Sequence, residues 1–185
     1  IHGDEWTHLA KAVYFIDKEK INFINPYLEG FPYHPNYEVG FDIFISEFFL
    51  LTGLDPVLGY KYLAAMFMMV NSLLLFIFVR KISNGYLGLL SALFFGMLKS
   101  NINLLGNWFF VPMSMSLFLM FLFFFLLIIY FEEKSRNPLV GLILIYIINA
   151  FVYPITFILI TIILAIFLII KYYKNKITWL IVAIA

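Results

Sequence analysis

The first segment, Asp4 to Asp17, mixes apolar and polar residues at helical spacing. Trp6, Leu9, Val13 and Ile16 form one stripe, and Asp4, His8 and Lys11 fall at i, i+4 and i+7 on the opposite face. This pattern predicts an amphipathic helix that lies along a membrane surface, because a stretch so short and so charged cannot span one. Asp17-Lys18-Glu19-Lys20 ends it in water, and the Pro-, Gly- and Tyr-rich stretch Asn25 to Pro35 has no period and reads as a loop. Tyr37 to Gly53 is apolar enough to enter a membrane, but Asp42 and Glu47 interrupt it. Either carboxylate facing lipid would cost about 2.5–3.5 kcal/mol, so a helix on the outer surface with its acids turned to a water-filled cleft is expected.

After Gly53-Leu54-Asp55-Pro56 the pattern becomes nearly continuous apolar sequence. Val57–Val79 reads as a full span closed by Arg80-Lys81, Tyr86–Leu98 as a short apolar helix, and Trp108–Phe131 as a second full span. The run Leu139–Ile170 would extend roughly 48 Å as one helix, too long for one span and short for two. The break at Asn149 to Pro154 resolves it as a hairpin of two short helices, 139–151 and 154–170, followed by a partial apolar run at 178–185. With the hairpin, Arg80, Lys81, Lys134, Arg136, Lys171, Lys174 and Lys176 share one side, which the positive-inside rule makes cytoplasmic. Residues 1–55 then lie on the extracellular or periplasmic side. The expected fold is all-α: a polytopic transmembrane bundle (56–185) with amphipathic juxtamembrane helices on its outer face (1–55).

Composition agrees with this reading. Of 185 residues 64% are hydrophobic and only 12% charged, more apolar surface than a soluble domain of this size can hide. The net charge of +1 and the lack of a basic tract give no hint of a nucleic-acid partner, and none is expected; the absence of Cys excludes disulfides, zinc-thiolate sites and a thiol nucleophile. No initiator Met or signal pattern opens the chain and the final apolar run is too short to span, so it reads as a piece of a longer protein.

Ionisable chemistry gathers at the amino-terminal end. Nine of the 11 acidic residues precede residue 56, and so do all three histidines, His2, His8 and His34. An Asp and Glu at a helix start with a His one turn on can serve acid–base chemistry or hold a divalent metal ion; Asp4 can equally be a helix cap. Glu5 is expected to point roughly 100° away from the Asp4–His8 face. Tyr27, Tyr33 and Tyr37 read as an interfacial aromatic belt, Lys61 as snorkelling to the outer interface, and Asn71 and Asn149 as interhelical hydrogen-bonding groups.

The order of these features resembles the GT-C superfamily of polytopic glycosyltransferases: protein mannosyltransferases, aminoarabinose transferases and oligosaccharyltransferases. The acidic pair Asp4-Glu5 in GDEWTH, the Tyr33-His34-Pro35 element (with Asn36 where many relatives have a second Pro), and the stretch from Gly40-Phe41 to Asp55-Pro56 carry the likeness. The resemblance implies transfer of a sugar from a polyprenyl-phosphate donor to an acceptor of unknown identity, on the outer side of the lipid bilayer. It makes Asp4 and Glu5 the catalytic candidates. His8, His34, Tyr33, Asp42 and Lys61 are the substrate-binding candidates, and Asp4 with His8 the candidate ligands of a divalent metal ion. A transporter or channel in which Asp42, Glu47 and Lys61 line a pathway is the alternative, as is a non-catalytic subunit of envelope polysaccharide biosynthesis.

Overall fold

The computed structural model describes residues 3–21, 38–98, 109–133 and 135–184, with side chains described between 5 and 170. The described residues form seven helices and no strand: α1 (Gly3–Lys18), α2 (Val39–Thr52), α3 (Pro56–Ile82), α4 (Gly85–Met97), α5 (Pro112–Glu133), α6 (Arg136–Val152) and α7 (Pro154–Ile184).

Local chemistry sets the boundaries. Gly53 ends α2 at φ 64°, a left-handed conformation that glycine adopts without a Cβ penalty. Asp55 then caps α3, its Oδ1 accepting from Leu58 N–H at 2.9 Å, with Pro56 in the first turn where no N–H is needed. Asn84 caps α4 in the same way, accepting from Leu87 N–H at 2.9 Å. Tyr153 is extended ahead of Pro154, and the chain breaks there because the proline ring disfavours helical backbone in the residue before it. Helices α6 and α7 fold back on each other at that point. The hydroxyls of Tyr146 and Thr161 lie 2.7 Å apart, whereas 15 residues of one continuous helix would hold them roughly 22 Å apart.

One boundary differs from the sequence reading. The break expected between 170 and 178 is absent, and α7 runs on to Ile184. The lysines at 171, 174 and 176 interrupt hydropathy but not helix propensity, and no Gly or Pro follows Pro154.

Helices α3 and α5 are long and apolar enough to cross a membrane: 27 residues with mean hydropathy 2.2, and 22 residues with mean hydropathy 2.5. They pack on each other, with α4 against α3 and α6 against α5. Gly40 and Gly88 mark close approaches to the backbone of a neighbouring helix. A Cβ on Gly40 would meet the Phe151 backbone at 2.9 Å, and one on Gly88 the Phe76 carbonyl at 2.9 Å. The core runs from Leu9 and Ala12 of α1 through Phe41, Ile45 and Phe49 of α2 to Tyr60, Leu63 and Phe67 of α3. It continues into Met115, Leu119 and Phe123 of α5 and Leu142 and Ile145 of α6.

Candidate functional site

The inward side of α1 carries charged residues as well as apolar ones. Glu5, His8 and Lys11 are buried together with Leu9 and Ala12, while Trp6 is exposed. The polar stripe is thus buried, while of the apolar stripe Leu9 is buried, Val13 and Ile16 pack against the core and Trp6 turns outward. The physical reason is Asp42: α2 brings this carboxylate to complete burial, 0% exposed, and a buried charge must meet a counter-charge or a donor. α1 supplies both. His8 Nδ1 lies 2.6 Å from Asp42 Oδ1, and Lys11 Nζ lies 3.8 Å from Asp42 Oδ2. The other ring nitrogen, His8 Nε2, stands 3.7 Å from Oε2 of Glu38, whose side chain is 29% exposed. Phe41 places its ring edge-on to the imidazole, centroids 4.9 Å apart. Asp42 thus faces neither lipid nor a water-filled cleft but two cationic or donor side chains.

Glu5 belongs to the same site by a different route. Its Oε1 accepts the Phe110 N–H at 2.8 Å, and the Tyr60 hydroxyl donates to the Phe110 carbonyl. Side chains of α1 and α3 therefore hold both backbone polar groups of Phe110, just before α5 begins. The Phe110 ring fills the space between Phe41, Tyr60 and Phe67, with centroid distances of 5.0, 5.6 and 4.6 Å. Tyr153, in the break between α6 and α7, feels the charge of Glu38. Burial first, and then the Glu38 carboxylate, push its hydroxyl above the ordinary tyrosine range, so it stays a protonated donor.

Of the residues singled out in the sequence, the structure brings Glu5, His8 and Asp42 to one buried site. Lys61 is exposed on α3 and does not join it. Glu47 is exposed and lines a separate apolar hollow of about 350 Å³ with Phe15, Ile16, Ile43 and Leu50. Asp4 lies in the first turn of α1, its side chain outside the described residues, and Tyr33 and His34 lie outside them altogether. Among the described residues no three His, Asp or Glu side chains converge in a way that could hold a metal ion.

Sequence reasoning missed Lys11, Glu38 and the Phe110 backbone as members of this site. A signal for Lys11 was available. It lies one turn after His8 on α1, and an acid inside an apolar segment needs a basic partner somewhere in the chain.

The cluster stands at one end of the bundle, beside Tyr60 near the start of α3. The Lys81–Glu132 ion pair, 2.7 Å, stands at the other, where α3 and α5 finish. No protein-family model, curated protein or solved structure matches the chain.

Proposed function

We propose that this protein is a multi-pass membrane glycosyltransferase that moves a sugar from a polyprenyl-phosphate donor to an acceptor on the outer side of the membrane. One observation carries the reading: a buried acid–imidazole cluster, built by α1 and α2, at the bundle end away from Arg80, Lys81 and Arg136. Basic residues favour the cytoplasmic side, which turns the cluster outward, toward lipid-linked sugars. The outward-facing apolar side chains support the bilayer as surroundings. Met69 is 67% exposed and Phe94 68%, a pattern that lipid tolerates and water does not.

In this reading the acceptor oxygen attacks the anomeric carbon. The bond from that carbon to the phosphate oxygen breaks, and polyprenyl phosphate leaves with the electron pair. The acceptor must lose a proton, and a carboxylate at a low-dielectric boundary is suited to take it. Glu5 is occupied by the Phe110 N–H and Asp42 by His8 and Lys11. Asp4, one helical turn before His8, is the carboxylate we assign to that task.

The mutual engagement of Asp42, His8 and Lys11 also favours a second reading, a non-catalytic subunit in which the cluster only fastens α1 to α2. Asp4→Asn separates the two. In the intact protein, assayed in membranes with radiolabelled polyprenyl-phosphate hexoses and pentoses, it should lower transfer by on the order of 10²–10⁴ while expression stays normal. Asn keeps the size and the capping acceptor of Asp, so transfer at the wild-type rate would leave Asp4 a helix cap and sink the assignment.

A further inference from the structure

The 2.6 Å contact between His8 Nδ1 and Asp42 Oδ1 fixes more than the position of α1. An ionised carboxylate only accepts, so the hydrogen in this contact is the one on Nδ1. Lys11 Nζ stands 3.8 Å from the other carboxylate oxygen, and Phe41 stacks edge-on against the ring. These contacts hold the imidazole in one orientation, with Nε2 turned toward Glu38. The Nε2–Oε2 separation of 3.7 Å is longer than a hydrogen bond. Among the described carboxylates of the cluster Glu38 is the most exposed, and Nε2 points toward it.

We propose that Asp42 is a positioning residue for His8. It keeps the hydrogen on Nδ1, and the Nε2 lone pair accepts a hydrogen bond from a hydroxyl or N–H group of the sugar acceptor. The proposal rests on the sugar-transfer reading and deepens it. Acceptor recognition then takes place at a ring nitrogen set by a residue 34 positions away on another helix. Lys11 acts one step further back, on the charge of Asp42.

Two measurements test it, both on the intact protein in lipid nanodiscs. The first is imidazole-nitrogen NMR, in which the His8 signals are those absent from the His8→Asn spectrum. The wild-type cluster should show hydrogen on Nδ1 and none on Nε2, and Asp42→Asn should mix or reverse the two. An Nε2–H tautomer, or spectra that Asp42→Asn leaves unchanged, would overturn the positioning role.

The second measurement is transfer from radiolabelled polyprenyl-phosphate hexoses and pentoses to acceptors supplied by the expressing cell's membranes. His8→Asn is the decisive variant, since its amide N–H₂ sits about where Nδ1 was and can still donate to Asp42, while nothing replaces Nε2. It should melt like the wild type yet lose at least about tenfold in transfer, and Asp42→Asn should lose a similar factor. A merely structural His8 predicts wild-type transfer from His8→Asn, and that result would overturn the working role of Nε2. If the wild-type protein transfers no sugar while the tautomer is as stated, the sugar-transfer reading falls and acceptor binding falls with it. The dyad is then a fastening of α1 to α2.

Discussion

At the α1–α2 end, Glu5, His8, Lys11 and Asp42 are buried, and each meets a partner on another element. Within the bundle, Asn71 is equally buried but pairs through one of its two polar atoms: Nδ2 donates to the Ser114 carbonyl at 3.0 Å, and Oδ1 meets nothing among the described residues. Asn149 pairs through neither among the described residues. The contrast follows from charge. An unpaired ion in a low-dielectric interior costs several kcal/mol, so a sequence that buries one must bring a counter-group to it, however distant in the chain. An unpaired neutral amide costs about 1–3 kcal/mol, which a large apolar bundle can carry. Electrostatics therefore dictates the geometry of the α1–α2 end, and shape dictates that of the bundle.

Breaking the charged end should produce the largest effect. Asp42→Ala removes the acceptor of His8 and the counter-charge of Lys11 while leaving Lys11 buried. Loss of one partner from a buried pair typically costs about 3–5 kcal/mol, and thermal unfolding of the intact protein in detergent should show a loss of that order. A loss below about 1 kcal/mol would mean that water already reaches Asp42, and the contrast with the bundle would dissolve.

Shape comes second. Gly40→Val places a branched Cβ where the Phe151 backbone already stands 2.9 Å from an ideal Cβ position. Backbone cannot swing aside as a side-chain tip can, so α2 and α6 must separate, at a cost of about 1–3 kcal/mol. If unfolding shifts by less than the scatter of the measurement, α2 is not seated on α6 as described. Gly59→Ala is the internal control. Its near contact at 2.7 Å is the rotatable ring of Phe49, and it should be better tolerated than Gly40→Val.

The sequence made the bundle legible and the site only partly so. Asp55-Pro56, Asn84 and Tyr153-Pro154 announce helix boundaries through local chemistry, which needs no knowledge of the fold. Charge distribution and length together called for a hairpin at Asn149 to Pro154. The orientation of α1 was not readable in that way. Its apolar stripe is short, and a helical wheel shows two faces without saying what each one meets. The partner that buries the polar face, Asp42, lies 34 residues beyond His8. Glu5 illustrates the same limit. Its acceptor role is satisfied by the backbone of Phe110, 105 residues away, and backbone groups leave no trace in a residue pattern. Hydropathy also misplaced the end of α7, because lysine opposes membrane burial but not helix.

The smallest effect belongs to Asn149, and its sign is the informative part. Asn149→Leu keeps the branch at Cγ while replacing two polar atoms that have no partner among the described residues. Removing an unsatisfied buried amide should gain about 1 kcal/mol, against which the extra volume of leucine costs a similar amount or less. Stability should rise slightly or stay level. Asn71→Leu removes one real hydrogen bond, the one to the Ser114 carbonyl, and should lose roughly 0.6 kcal/mol, the average for such bonds between membrane helices. The two variants should therefore differ in sign or nearly so, measured side by side in the same detergent. A loss above about 2 kcal/mol from Asn149→Leu would show that the amide is satisfied in the working protein. The bundle would then obey the same pairing rule as the charged end, and the difference between the two regions would be one of degree.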